Sequence, residues 1–222
     1  MVNDMDIKHF YIEKGRGFPL ILLHGNGENS FYFKHQIDEF SRYYHVYAID
    51  TRGHGKTARG TAPFKIQQFA DDLYYFMQDK NISKAHILGF SDGGNIAIYF
   101  ALKYPDKLSE LILNGANLFP EGMKDSVLLE IQEEYKSTKQ NSPQAEMLEL
   151  MLNEPDISPE ELKNISCRVL VIAGKDDMIK EEHTRLIAES IENSRLEIIE
   201  GNHFIAYRQY REFNRIVLDF LK

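Results

Sequence analysis

The sequence predicts a doubly wound α/β protein: a mostly parallel sheet of about seven strands, with a short helical cap. Three observations carry this. Short apolar runs recur along the chain and are continuous rather than alternating, as strands are when helices cover both faces of a parallel sheet. Helical periodicity fills most of the gaps between them. That alternation breaks once, between Asn114 and Arg168, where helix signals stand without an intervening strand.

The predicted strands are residues 10–12, 20–23, 46–49, 86–90, 111–113, 169–173 and 196–199, each followed by a glycine or a turn-like segment. Residues 66–77 place Ile66, Phe69, Ala70, Leu73 and Phe76 at helical spacing, and residues 95–104, 180–191 and 207–221 read as further helices. Within the break, Val127, Leu128, Ile131 and Tyr135 form an apolar stripe. Ser142-Pro143 and Ser158-Pro159 each set an N-cap residue before a first-turn proline, and Ser158 with Glu161 makes a capping box. Residues 116–166 hold eleven Asp/Glu against four Lys and no Arg, so this stretch carries −7 of the chain's net −8. It reads as a cap inserted in a single domain over residues 1–222. A surface decoration with a solvated acidic face is the alternative.

Composition narrows the function. With 34 Asp and Glu against 26 Lys and Arg, the chain lacks the basic balance of a nucleic-acid binder. The one cysteine, Cys167, permits neither an intramolecular disulfide nor a cysteine metal framework. The opening segment carries Asp4, Asp6, Lys8 and His9 and no apolar stretch, so no secretory leader is expected. No run of ~18 apolar residues offers a membrane span. The expectation is a cytoplasmic protein with a small-molecule substrate and neither nucleic-acid nor membrane partner.

The informative stretch is Gly89-Phe90-Ser91-Asp92-Gly93, a G-x-S-x-G pattern between a predicted strand and a predicted helix. A serine on so tight a turn projects its hydroxyl from the sheet edge, and the flanking glycines leave room for the turn. Such a serine needs a base and the base an orienting acid. Asp176 and Asp177 follow the strand at 169–173, and His203 follows the strand at 196–199. Both lie past the carboxyl ends of strands, where open α/β sheets place their chemistry. The loop His24-Gly25-Asn26-Gly27 leaves backbone N–H groups free for an oxyanion, and the donors assigned are those of Asn26 and Asp92. His24 reads as a structural residue of that loop. In the cap, Met123, Met147 and Met151 offer an adaptable apolar face for a substrate. Gly53-His54-Gly55-Lys56-Thr57 ends like a phosphate-binding loop, but the first glycine of that motif would fall at Asp50. No cofactor and no metal are expected.

These markers resemble the α/β-hydrolase superfamily along nearly the whole chain: the His24-Gly25 loop, the turn from Asp50 to Gly55, the Gly89–Gly93 elbow, Gly174-x-x-Asp177 and Gly201-Asn202-His203. The resemblance implies a Ser91–Asp177–His203 triad, favouring Asp177 over Asp176, and hydrolysis of small carboxylic esters through an acyl-enzyme. Carbon–carbon bond hydrolysis, perhydrolysis and a slow-turnover ligand sensor are the alternatives on the same fold. Gly89-Phe90-Ser91-Asp92-Gly93-Gly94 with Asn114-Gly115-Ala116-Asn117 is similar to valacyclovir-hydrolase-like esterases. That similarity implies a substrate ammonium on Asp92; otherwise Asp92 acts locally at a helix start. Two departures from the family pattern are Thr57, where a serine is usual, and Gly-Asn-His in place of Gly-His.

Overall fold

The computed structural model describes residues 6–222; Asp4, with the rest of residues 1–5, lies outside the described residues. The strands are β1 (Tyr11–Gly15), β2 (Pro19–Leu23), β3 (His45–Ile49), β4 (Ala85–Phe90), β5 (Leu108–Asn114), β6 (Arg168–Asp176) and β7 (Ser194–Asn202). They form one sheet in the order β1-β3-β2-β4-β5-β6-β7. β1 pairs antiparallel with β3 and every other pairing is parallel. The sequence reading of strand number and direction is borne out.

The continuous apolar runs work because each strand feeds two cores at once. In β2, Ile21 and Leu23 point into one core while Leu20 and Leu22 point into the other. The first core is completed by α2 (Ile66–Asp79), α3 (Asp92–Lys103) and α6 (Glu181–Glu189). The second is completed by α1 (Lys34–Phe40) and α8 (Tyr210–Phe220), with the single turn α7 (Ile205–Arg208). Two differences from the sequence reading stand out. Helix α1 was not foreseen, since Ile37 and Phe40 are its only apolar residues and a 3₁₀ turn at Ser30–Phe33 precedes it. The pattern over 207–221 belongs to two helices that meet at Gln209.

Between β5 and β6 lie α4 (Asp125–Ser137), α5 (Pro143–Asn153) and a 3₁₀ helix at Pro159–Asn164. Ser142 caps α5 by accepting the Ala145 N–H, and the Ser158–Glu161 capping box is formed. Met123, Ile131, Leu148 and Ile179 make a small apolar cluster of their own, with Val127, Leu128 and Met151 packed against it. Helix α5 is tied to the body by a bidentate Arg59–Glu146 pair at 2.5 and 2.8 Å. Glu154, just past its end, accepts the Ile66 N–H at 2.7 Å. Among the described residues no helix is long and apolar enough to cross a membrane.

One feature of the topology creates a crevice. β2 lies between β3 and β4, and the chain leaves β2 for α1 on one face and β4 for α3 on the other. The two connections diverge at the carboxyl ends of neighbouring strands, which is where open sheets bind ligands.

Candidate active site

Ser91 occupies that switch point. Its φ of 53° and ψ of −122° lie where a residue with a Cβ is strained, at a cost of order 1–3 kcal/mol. Hydrogen bonds hold it there: the Ser91 N–H donates to the Asn114 carbonyl at 2.8 Å, and the Ser91 carbonyl accepts the Gly94 N–H at 2.7 Å. The flanking glycines are sterically required. A Cβ on Gly89 would sit 2.2 Å from the Gly93 carbonyl oxygen, and one on Gly93 would sit 2.1 Å from that of Leu23. Ser91 itself is partly exposed.

Asp177 and His203 arrive from the ends of β6 and β7 and meet each other. His203 Nδ1 lies 2.6 Å from Asp177 Oδ1, and both residues are buried. The carboxylate is fixed by the Ile179 N–H at 3.0 Å on Oδ1 and the Gly174 N–H at 3.4 Å on Oδ2. Since the carboxylate accepts, His203 carries its proton on Nδ1 and leaves Nε2 as a lone-pair base. The imidazole packs on Phe90, the residue before the serine, with ring centroids 4.7 Å apart. Gly115 leaves no room for a side chain there, because a Cβ would approach His203 Cε1 to 2.8 Å. Asp176 is exposed on the strand and makes no such contact.

Two backbone amides beside the elbow make no protein hydrogen bond among the described residues. Asp92 opens α3, so its N–H has no carbonyl one turn earlier within the helix. The Asn26 N–H has no protein acceptor among the described residues. The Asp92 carboxylate takes Asn26 Nδ2 on Oδ2 at 2.9 Å and Asn95 Nδ2 on Oδ1 at 3.3 Å. Burial raises its pKa to about 6 against the effect of those donors. Of the three cap methionines, Met123 and Met151 pack in the cap's own cluster, whereas the Met147 carbonyl accepts from Asn26 Nδ2 at 3.1 Å.

The remaining motifs have structural duties. His24 Nδ1 contacts the Gly25 carbonyl at 2.7 Å while Nε2 accepts the Thr51 N–H at 3.0 Å. These bonds occupy both ring nitrogens, and burial, reinforced by the neighbouring His54, lowers the His24 pKa to about 4. Asp50, at the position where a phosphate loop needs glycine, ties the turn by accepting the Ser30 and Lys56 N–H groups. Thr57 serves in the family's serine position, accepting the Phe10 N–H at 2.9 Å and donating to the Asp50 carbonyl at 2.8 Å.

Glu28 was not singled out in the sequence. Its Oε2 accepts the Gly25 N–H at 3.3 Å, and burial pushes its pKa up to about 7. An acid raised in the folded chain gains stability as pH falls through the folded value, until the unfolded chain also takes up its proton near 4.5. Glu28→Gln is therefore expected to stabilise the protein at pH 8.5 by roughly 1–2 kcal/mol, an amount discounted for partial exposure, with the gain fading by pH 5. Urea unfolding at both pH values checks this; an equal effect at the two would refute the burial argument.

The chain has counterparts among known proteins. The family model described as alpha/beta hydrolase fold matches residues 19–141, more than half of the chain. The chain is similar to serine hydrolase BPHL of Homo sapiens, 27% identical over 242 residues, covering 96% of this chain and 82% of that protein. It is also similar to 3-oxoadipate enol-lactonase 2 of Acinetobacter baylyi, 27% identical with 89% and 86% covered. Among solved structures, an esterase from Exiguobacterium antarcticum superposes with a TM-score of 0.85 at 22% identity, covering 96% of this chain and 95% of that one. The resemblance drawn from the sequence motifs is borne out: the chain belongs to the α/β-hydrolase family.

Proposed function

We propose that the protein is a serine hydrolase that cleaves small carboxylic esters through an acyl-enzyme. The observation that carries this reading is the strained Ser91 elbow, whose preceding residue Phe90 packs on the His203 of a buried, hydrogen-bonded Asp177–His203 pair. Ser91 Oγ attacks the substrate carbonyl carbon while His203 Nε2 takes its proton. The tetrahedral oxyanion is received by the Asn26 and Asp92 N–H groups. His203 then returns the proton to the leaving alkoxide, and the acyl group remains on Ser91. A water repeats the sequence with His203 as base, releasing the acid and restoring the serine. Asp177 holds the imidazole in the productive tautomer and stabilises its charged form. Relatives named a serine hydrolase and an enol-lactonase support an ester-type reaction.

On this reading the Asp92 carboxylate serves the elbow before it serves a substrate amine, since both its oxygens already take amide hydrogens. The cap, closing on the site through Met147, favours short and medium acyl chains. The test is a p-nitrophenyl ester series of rising acyl length, run beside labelling by a fluorophosphonate probe. Turnover should peak at short or medium chains and fall on emulsified triglyceride, with the label lost in Ser91→Ala. A stoichiometric burst without steady turnover on every ester would instead favour a ligand sensor.

A further inference from the structure

The side-chain amides around the nucleophile form one connected line. Asn26 Nδ2 donates to Asp92 Oδ2 at 2.9 Å and to the Met147 carbonyl at 3.1 Å, which spends both hydrogens of its amide. Asp92 Oδ1 accepts from Asn95 Nδ2 at 3.3 Å. Asn95, fully buried, donates to Asn117 Oδ1 and accepts the Asn117 N–H, both at 3.0 Å. The line thus runs from α5 through the loop after β2, across the elbow, into α3 and to the segment leaving β5. It joins the chain on both sides of the crevice.

Asn26 sits in a turn closed by the Glu28 N–H on the Gly25 carbonyl at 3.2 Å, but its own N–H has no protein acceptor among the described residues. It lies between Gly25 and Gly27, and Gly27 takes a φ of +71° with open space around it. Between two glycines, the aim of this backbone donor within the turn depends on how the Asn26 side chain is held. Oxyanion donors act by preorganisation, and removing one costs about 10²–10³ in turnover. A displacement of about 1 Å has a comparable effect.

We propose that the Asn26 side chain is a positioning residue: gripped by the Asp92 carboxylate and the Met147 carbonyl, it aims the Asn26 N–H at the oxyanion. The seat of α5 and the strength of the oxyanion hole then become one variable. A substrate that shifts α5 alters turnover as well as binding. The proposal rests on the serine-hydrolase reading above.

The discriminating experiment is a donor–acceptor exchange, assayed on p-nitrophenyl butyrate at pH 8, above the Asp92 value of about 6. Asn26→Asp turns the donor into an acceptor facing two acceptors, and kcat should fall by about 10² while KM stays within about threefold. Asp92→Asn leaves an oxygen for the Asn26 amide and should cost less than about tenfold. The double variant Asn26→Asp with Asp92→Asn restores the bond in the opposite sense, and should recover kcat to within about tenfold of wild type. A merely structural role would show no such recovery in kcat alone.

A double variant no faster than Asn26→Asp, or Asn26→Asp turning over at the wild-type rate, would overturn the proposal. If circular dichroism shows either variant unfolded, Asn26→Ala decides. It should lose at least about tenfold in kcat at unchanged KM, and a smaller loss refutes the assignment. Failure of the underlying reading is seen separately, as full turnover by Ser91→Ala.

Discussion

Alanine at Ser91 or at His203 is expected to lower ester turnover by roughly 10⁴–10⁶, each single change costing nearly as much as both together. On the proposed mechanism the two act as a unit, because without Ser91 the base has no hydroxyl to deprotonate, and the serine is a weak nucleophile without the base. The acid is a sharper probe. Asp177 Oδ1 accepts the hydrogen bond of His203 Nδ1 at 2.6 Å and is fixed by the Ile179 N–H. Asp177→Asn can turn an N–H toward the imidazole, which places the ring proton on Nε2 and leaves no base for the serine. The expected loss is about 10³–10⁴ in kcat. Asp176→Asn, on the exposed neighbour, should stay within about threefold. Steady-state kinetics on one p-nitrophenyl ester measures all four variants, and a His203→Ala enzyme within tenfold of wild type would sink the assignment.

The second large effect lies outside the chemistry. Arg52 is 1% exposed and forks onto Asp72, itself 2% exposed, with both bonds at 2.7 Å. Its remaining donors reach Asp6 and the Arg59 carbonyl. Arg52→Ala strands the Asp72 carboxylate in the core, which costs about 3–5 kcal/mol. That is a large share of the 5–15 kcal/mol typical of a domain. Arg52→Lys should recover only part, because an ammonium cannot reproduce the planar fork. Asp72→Ala added to Arg52→Ala should recover part as well, by removing the uncompensated charge. Urea denaturation gives all three values, and a loss below 1 kcal/mol for Arg52→Ala would show the carboxylate finding water instead.

The strands and the elbow were readable in the sequence because each follows from a local requirement. A strand covered on both faces must be apolar throughout, and a serine on a strained turn must be bracketed by glycine. The Gly174-x-x-Asp177 spacing worked for a similar reason, since Asp177 closes back on the Gly174 N–H. What escaped depended on partners remote in the chain. The amphipathic stripe of α4 marks a buried face but not the face it meets, which includes Ile179 from beyond β6. Asn95 and Asn117 are 22 positions apart and have no pattern that announces a pair. Glu28 looks like any loop carboxylate until the fold removes its water.

β7 is the edge strand opposite β1: it pairs with β6 alone, and much of it is only half-buried. Ser91, the proposed nucleophile, follows a central strand, and His203, the proposed base, follows this marginal one. Edge elements open at lower free energy than the body of a domain. During synthesis the consequence is temporal. Chains are synthesised at about 5–20 residues per second, so Ser91 is translated on the order of ten seconds before His203. On the proposed mechanism, the nascent chain through that interval carries Ser91 with no base to activate it, and the serine stays chemically silent until the sheet closes.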